Sequence, residues 1–209
     1  MIIEGLVTSV SSEGKINIAP MGPVVSRDFG ALLLRPFQPS TTFSNLSATR
    51  CGVFHVVDQV DVIARAAIGR LDCLPAMHPA TSVSGYVLDE CCRWFEFKVD
   101  SIDASDARSR MPATVVHRGE CRPFSGFNRA RHAVLEAAIL ATRLHLIDRS
   151  DIEQTMAFLK SAVDKTGGTA EKGAFEMLRS HMNDFWTAVH RSASDAMTGN
   201  RESSDRGVA

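Results

Sequence analysis

The pattern of apolar residues changes once along this chain, at Phe127, and that change constrains the fold more than any other feature. Before it, short segments such as IIEGLVTSV and WFEFKV alternate apolar and polar residues and are separated by turn residues, which is typical of antiparallel strands. After it come long segments of strong helix formers, beginning with NRARHAVLEAAILATRLHLI. Because strands precede helices instead of alternating with them, the sequence predicts an α+β fold, a β-barrel or sheet with a helical layer.

Short turns join the predicted strands. In the turns SSEGK and SRDFG, Gly14 and Gly30 stand where a hairpin needs a positive φ angle, so we expect the first three strands to form consecutive hairpins. One of these hairpins would pair residues 16–25 with 31–37. Further along, CCRWFEFKVDSIDAS and MPATVVHRGECR predict a long hairpin that turns near residues 106–109. Residues 59–86 contain a possible short helix, VIARAAIG, and are otherwise typical of a loop.

Three helices are predicted in the last third of the chain. Asn128 stands at the N-cap of the first helix, the second starts at a cap of Ser150 and Asp151, and the third opens at Thr169. The segment SDAMTGNRESSDRGVA that follows is small and polar, which is typical of a frayed end. The predicted organisation is a barrel domain over residues 1–127, a helical subdomain over residues 128–194 and a disordered tail over residues 195–209.

Composition and charge argue against several classes of protein. An apolar fraction of 44% and a charged fraction of 22% are ordinary for a globular protein. The formal net charge of -1 argues against a general binder of nucleic acids or membrane surfaces, since both functions need a basic face. The first residues, MIIEGLVTSV, lack the basic start and long apolar run of a signal peptide, and no segment has the length of a membrane helix. We therefore expect a cytoplasmic protein.

The cysteines predict neither a disulfide framework nor a metal site. The chain has five of them and no CxxC pair, a pattern that fits reduced thiols better than disulfides. Cys91 and Cys92 would point to opposite faces of a strand, so they form a poor chelating pair.

The segment LLLRPFQPSTTFSNL combines a fixed positive charge with adjacent hydroxyl groups. Arg35 offers a planar guanidinium suited to phosphate, and Ser40, Thr41 and Thr42 stand at the start of a possible helix, TTFSNLSAT. These residues predict a phosphate cradle. Alternatively, Arg35 pairs with a surface carboxylate and the hydroxyl groups only cap the helix. The chain has no Walker lysine and no GxGxxG motif, so nothing supports a nucleoside triphosphate or Rossmann site.

A narrow polar stripe runs along the predicted helix of residues 128–147. At about 100° per residue, Arg129, His132, Glu136 and Arg143 fall within a sector of about 60°. The other positions are mainly apolar, so we expect the helix to be buried and the stripe to find partners inside the protein or in a subunit interface. Glu136 would then form an ion pair with one of the arginines, or line a cofactor or substrate pocket.

Several motifs together resemble a known family. NIAPMG, LRPFQPSTTFSNL, ARAAIG, FNRARHAVLEAAILATRLHLI and KTGG are similar to segments of a family of flavin-binding split-barrel proteins of unassigned function. Its members occur in methane-producing and methylotrophic microbes, often beside tetrahydromethanopterin one-carbon genes. The resemblance extends to the wider group of flavin reductases and pyridoxamine-phosphate oxidases. It implies an antiparallel, Greek-key-like split β-barrel with a C-terminal helical layer, and flavin mononucleotide (FMN) at the interface of a homodimer.

The resemblance also implies roles for individual residues. The flavin ring would lie against the backbone of Ala19, Pro20 and Met21, with Arg35, Pro36 and Phe37 beside the ribityl chain and phosphate. The phosphate itself would bind Ser40, Thr41 and Thr42, and Asn17 and Asn45 are further candidates. The chain departs from the pyridoxamine-phosphate oxidases in lacking their Arg-Lys pair after the corresponding serine. This departure argues against pyridoxal-phosphate chemistry and leaves a single arginine for the phosphate.

The function that the resemblance implies is FMN-dependent oxidation or reduction of a small substrate. A link to pterin-dependent one-carbon metabolism is suggested by the family's gene associations alone. Two alternatives stay open at this point: a non-enzymatic flavin carrier or sensor, and a module that binds another phosphorylated ligand. No residue of the sequence identifies itself as catalytic.

Overall fold

The computed structural model describes the backbone of residues 1–204 and the side chains of residues 1–191. Strands form the first part of the chain and helices the last, so the prediction of an α+β fold is confirmed. The strands are β1 (Gly5–Val10), β2 (Ile16–Met21), β3 (Val24–Val25), β4 (Ala31–Leu34), β5 (Cys51–Val56), β6 (Met77–Pro79), β7 (Tyr86–Leu88), β8 (Arg93–Val99) and β9 (Met111–Glu120). The helices are α1 (Thr41–Thr49), α2 (Val60–Ala67), α3 (Arg129–Ala141), α4 (Arg149–Thr166) and α5 (Thr169–Ser204).

A seven-stranded antiparallel sheet forms the barrel. Its strand order is β2-β1-β5-β8-β9-β4-β3. The residues before β1 reach across to β3: Ile2 forms a bridge with Val24, and the Val25 amide donates to the Met1 carbonyl at 2.9 Å. The segment that leads into β1 thus pairs with β3 at the far end of the sheet, and the curled sheet forms a split β-barrel as predicted.

The predicted hairpins are only partly correct. The turn between β1 and β2 has Gly14 at a φ of 85°, as expected. The pairing of residues 16–25 with 31–37 was wrong: β2 pairs only with β1, and only Val24 and Val25 pair with β4. Gly22 and Pro23 interrupt the strand, and Pro23 has no amide to donate. The long hairpin of β8 and β9 is confirmed, with Arg93 opposite Glu120 and Val99 opposite Ala113.

The turn between β3 and β4 places a positive φ on an unexpected residue. Phe29, not Gly30, has the left-handed conformation, with a φ of 58°. Such a conformation is costly for a residue with a side chain. Here the Phe29 ring stacks on the ring of Phe95, with 4.7 Å between the centroids. That contact anchors the ring to the barrel core and stabilises the turn.

Three apolar cores lie among the described residues, and α2 contributes to two of them. The first core is built around Phe54, Phe95 and Phe97 of the barrel, and the second includes Leu6, Val53 and Ile63 of α2. The third is built around the alanine face of α3, which packs against α2, α4 and α5. The segment of residues 59–86 holds the junction of the second and third cores, because α2 follows β5 and contacts both β2 and α3. The rest of that segment was expected to be a loop, but it contains the small hairpin of β6 and β7.

The helix ends agree in part with the predictions. Asn128 caps α3 as expected, its side chain accepting from the Arg131 amide at 3.1 Å. However, α3 ends at Ala141, and α4 starts at Arg149 with Asp148 at the cap position. The α5 helix runs to Ser204, and residues 205–209 lie outside the described part, so the disordered tail over 195–209 stays a prediction. No helix of the described residues is long and apolar enough to cross a membrane.

A buried carboxylate connects the barrel to the helices. The Asp58 side chain, only 3% exposed, accepts hydrogen bonds from both terminal nitrogens of Arg122 and from the Ser125 amide and hydroxyl. Arg131 of α3 lies 3.4 Å from the same carboxylate and donates to Glu171 of α5 at 3.2 Å. The hydrogen bonds from Arg122 hold the pKa of Asp58 well below its usual value. We call these five residues the Asp58 clasp.

Candidate functional site

A cavity of about 710 Å³ lies between the barrel and the helices, which is the size of a small-molecule site. One side is formed by the end of β2, the residues after β4 and the start of α1. The opposite side is formed by α2, α3 and the segment that follows α3. The lining residues are Ile2, Glu4, Gly5, Ala19, Pro20, Met21, Gly22, Arg35, Pro36, Phe37, Ser40, Thr42, Ile63, Ala67, Arg108, Leu135, Ala138, Ile139, Thr142, Arg143, His145 and Leu146.

The N-terminus of α1 opens into this cavity. Ser40 is the N-cap: its hydroxyl accepts from the Phe43 amide at 3.2 Å and donates to the Phe37 carbonyl at 2.6 Å. The first amides of a helix, here those of Thr41 and Thr42, have no acceptor within the helix, and the helix dipole makes this end positive. Since Ser40 and Thr42 line the cavity, this end of α1 is suited to an anion.

Two asparagines hold α1 in place without lining the cavity. The Asn17 amide nitrogen donates to the Thr42 hydroxyl at 3.0 Å, and that of Asn45 donates to the Ser9 hydroxyl at 3.1 Å. These bonds connect α1 to β1 and β2, and the bond from Asn17 orients the Thr42 side chain. Thr41 is exposed and is also absent from the lining. The other residues predicted to bind the cofactor all line this cavity, and their contact with a cofactor stays a prediction: Ala19, Pro20, Met21, Arg35, Pro36, Phe37, Ser40 and Thr42.

Three arginines line the cavity, whereas the sequence had predicted Arg35 beside the phosphate and Arg143 as a possible pocket residue. The Arg108 Nε donates to the Arg35 carbonyl at 3.1 Å, and its guanidinium lies 5.1 Å from the centre of the Phe37 ring. Arg143 enters from the end of α3. Partial burial, and then the positive charges of Arg35 and Arg143, lower the pKa of Arg108, whereas Glu4 acts in the opposite direction. We call Arg35, Arg108 and Arg143 the arginine cluster.

The arginine cluster has no counter-charge in direct contact. Among the side chains that the structure describes, no carboxylate lies within ion-pairing distance of any of the three guanidinium groups. The Arg35 Nε is buried and has no hydrogen-bond acceptor. A buried donor without an acceptor is costly, and a bound anion would satisfy it. The residues present therefore fit a phosphate group beside the N-terminus of α1.

Most of the predicted polar stripe lies elsewhere. Arg129, His132 and Glu136 are exposed and border a second, shallower cavity of about 630 Å³ that also contains Phe127 and Phe158. The stripe is not buried within the chain, because α3 buries its alanine face and turns the stripe towards solvent, so its burial in a subunit interface stays a prediction. No ion pair of Glu136 occurs among the described side chains. Of the four residues of the stripe, only Arg143 lines the main cavity, because it follows the end of α3 at Ala141.

Arg108, Glu4 and His145 are cavity residues that sequence reasoning missed. Arg108 belongs to the turn between β8 and β9, and a bridge to Phe37 brings it to the cavity. The Ser109 hydroxyl fixes this contact by donating to the Pro36 carbonyl at 2.8 Å. No sequence signal separates Arg108 from its neighbour Arg110, because the contact depends on a turn meeting a segment about 70 residues earlier.

His55 is excluded as a general base. Its side chain is buried, with Nδ1 3.2 Å from the Leu6 carbonyl, and Nε2 accepts from the Leu88 amide at 3.1 Å. Burial lowers the pKa of His55 to about 4, so the ring is neutral at pH 7. Both ring nitrogens are engaged, and the residue joins β1, β5 and β7.

Comparison with known proteins agrees with this architecture. A model for the family described as "Protein of unknown function (DUF447) N-terminal domain" matches residues 3–122, and one for "Protein of unknown function (DUF447)" matches residues 128–180. An FMN-bound protein of that family from Methanosarcina mazei has 24% identity and a TM-score of 0.75, covering 86% of this chain and 94% of its own. The styrene monooxygenase flavin reductase of Pseudomonas putida S12 has 14% identity and a TM-score of 0.50, covering 58% and 82%. No curated protein matches the chain. The structural likenesses show a shared split-barrel fold.

Proposed function

This chain belongs to the DUF447 family, and on that premise we propose that it is a flavoprotein that binds FMN in the cavity between barrel and helices. The observation that carries the proposal is the arginine cluster, which lacks a counter-charge and lies beside the N-terminus of α1. The FMN-bound relative from Methanosarcina mazei supports the choice of ligand. Phosphate is the anion for which both a guanidinium fork and helix amides are suited.

The cavity offers a matching surface for each part of FMN. Ser40, Thr42 and the first amides of α1 would hold the phosphate together with Arg35 and Arg108. The backbone from Ala19 to Met21 would meet the ring, since β2 is the end strand of the sheet and no other strand of the described residues pairs with its outer edge. FMN would supply the electron-transfer chemistry, while the protein orients the ring and limits the access of water. The apolar side chains of α2 and α3 that line the cavity would limit the access of water.

We further propose that the bound flavin oxidises or reduces a small substrate. The styrene monooxygenase flavin reductase, which shares the barrel, supports redox chemistry as the use of this fold. The proposed alternatives are an inert flavin carrier or sensor and a module for a different phosphorylated ligand. A cytoplasmic location and a link to pterin-dependent one-carbon metabolism complete the proposal, the latter from the family resemblance alone.

The decisive experiment is titration of the purified protein with FMN, followed by addition of reduced nicotinamide adenine dinucleotide (NADH) under anaerobic conditions. We expect saturable quenching of flavin fluorescence with one FMN per chain, and bleaching of the flavin absorbance after the reductant is added. A flavin that binds but stays oxidised would favour the carrier. A protein that takes up no FMN, yet binds a sugar phosphate or pterin phosphate, would support the third alternative and contradict the proposal.

We propose a homodimer because the mouth of the cavity is lined with exposed apolar side chains. Ile2, Phe37 and Leu146 are 49%, 56% and 71% exposed. A second copy of the chain would cover this rim and enclose the ligand.

Phe37→Glu should shift the sedimentation coefficient to that of a monomer and weaken FMN binding at least tenfold. The matched control is Phe158→Glu, at a site 81% exposed but remote from the main cavity, which should stay dimeric. A monomeric parent protein would contradict this prediction.

A further inference from the structure

Two free thiols lie in contact at one end of the β8–β9 hairpin. The sulfur atoms of Cys91 and Cys121 are 3.6 Å apart. Cys91 precedes β8 and Cys121 follows β9 directly, and the Cys121 amide donates to the Cys92 carbonyl at 3.0 Å. This backbone bond extends the register of the hairpin by one residue pair. The two thiols are therefore held together by the sheet itself.

The two thiols differ in their access to solvent. Cys91 is fully buried, whereas Cys121 is exposed. Burial, and then the hydrogen bond with Cys121, raise the pKa of Cys91 far above its usual value. Cys121 can thus be reached by a reagent, and Cys91 can be reached only through Cys121.

We propose that Cys91 and Cys121 form a redox modification site that a small-molecule disulfide, such as oxidised glutathione, converts into an internal disulfide. In the first step, the Cys121 thiolate attacks one glutathione sulfur and releases the other glutathione as a thiolate. In the second step, the Cys91 sulfur bonds to that of Cys121 while the Cys91 proton passes to the sulfur of the second glutathione, which leaves as a thiol. In total, two cysteine thiols are oxidised and one glutathione disulfide is reduced to two thiols.

The geometry favours closure by movement of the exposed partner. A disulfide bond is about 2.05 Å long, so the two sulfur atoms must approach by about 1.5 Å. Cys121 can make this movement because it is exposed and lies beyond the last residue of β9. The next residue is Arg122, a member of the Asp58 clasp. A disulfide at Cys121 would therefore restrain the clasp and raise the melting temperature of the protein.

The test treats the folded protein with oxidised glutathione at pH 8 and maps every cysteine by peptide mass spectrometry. We expect Cys91 and Cys121 to lose two hydrogens as a linked pair, whereas the exposed Cys73 keeps a glutathione adduct. In C91S, Cys121 should keep its glutathione, because nothing displaces it. In C121S, which changes an exposed side chain, no internal disulfide should form. The control C92S should form the Cys91–Cys121 disulfide like the parent protein.

Three results would overturn the proposal. The first is a stable glutathione adduct on Cys121 of the parent protein. The second is a disulfide from Cys121 to Cys92 or Cys73 in place of Cys91. The third is an internal disulfide that forms only after urea unfolds the protein. Flavin binding is not needed for any of these measurements, so they are independent of the proposed function.

Discussion

Arginines are used in two opposite ways in this protein. In the Asp58 clasp, Arg122 and Arg131 surround a buried carboxylate, and Arg131 has a second one in Glu171. In the arginine cluster, the guanidinium groups repel one another and none of them contacts a carboxylate within the described part of the chain. The clasp is complete within the fold, whereas the proposed function gives the cluster its counter-charge from a bound anion.

The difference shows how a structural arginine can be told from a binding one. The donors of Arg122 are satisfied by Asp58, so the pair contributes to holding barrel and helices together. The buried Nε of Arg35 has no acceptor, so its cost to the fold must be offset by a ligand or accepted for function. Loss of a partner should therefore destabilise the clasp, and loss of an arginine from the cluster should weaken binding.

The largest expected effect is in the clasp. Asp58→Asn should lower the free energy of unfolding by about 3–5 kcal/mol, because it leaves Arg122 and Arg131 without their shared counter-charge. Urea denaturation followed by circular dichroism measures the change. The control is Asp184→Asn. The Asp184 side chain is 65% exposed and pairs with Arg70, so its replacement should cost less than about 1 kcal/mol. Equal losses at both sites would show that the clasp has no special role.

The clasp also makes stability depend on pH in acid. Because the pKa of Asp58 is lower in the folded protein than in the unfolded chain, its contribution is present above about pH 4, the unfolded value. The contribution is lost as the pH falls towards the folded value. Unfolding curves of the parent and Asp58→Asn proteins should thus differ at pH 7 and draw together progressively as the pH falls from about 4 towards the folded pKa of Asp58. Curves that stay parallel throughout would argue against Asp58 as the source.

An intermediate effect is expected in the arginine cluster. Arg35→Ala should weaken FMN binding by about 1.5–3 kcal/mol, roughly a ten- to hundredfold rise in Kd, the scale of a charge-assisted hydrogen bond. The unfolding free energy without ligand should stay nearly constant, since no carboxylate loses its partner. Fluorescence titration measures Kd, and Arg129→Ala, an exposed arginine outside the main cavity, is the control. Unchanged FMN affinity in Arg35→Ala would place the phosphate elsewhere.

The smallest effect is expected at Ser40, the N-cap of α1. Ser40→Ala removes the acceptor of the Phe43 amide and should cost about 1 kcal/mol of stability. FMN affinity should fall only a few-fold, because the amides of α1 stay in place. Ser44→Ala, one turn along the same helix, is the matched control for thermal unfolding and titration. If Ser40→Ala abolished FMN binding, the hydroxyl group itself would be the main phosphate ligand.

Local sequence signals predicted the elements but not all of their pairings. The turn at Gly14 was predictable because only a glycine takes that conformation without strain. The turn at Phe29 was not, because its conformation depends on stacking against Phe95, 66 positions away. The pairing of β4 with β9 instead of β2 likewise depends on contacts about 80 residues apart. Hydrophobic alternation predicts that a strand exists and leaves its neighbours open.

The candidate site was predicted where its residues lie in one segment. The stretch from Arg35 to Thr42 holds the guanidinium, the cap and the helix start, so its chemistry was visible in the sequence. Arg108 was missed because a tertiary contact with Phe37 brings it there. The stripe of Arg129, His132 and Glu136 could not be placed, for a different reason. Periodicity identifies the faces of a helix, but it does not show which face the rest of the protein covers.

The residues that line the cavity are spread over more than two thirds of the chain, from Ile2 to Leu146, and this has a consequence for the protein in a cell. A nascent or partly unfolded chain lacks the complete lining, so the ligand binds only the finished fold. By mass action, a ligand at a hundred times its Kd then adds about 2.7 kcal/mol to the free energy of unfolding. A smaller fraction of the protein molecules is then unfolded at any time, so fewer of them are degraded. The abundance of the protein would therefore follow the supply of its ligand, even with no change in gene expression.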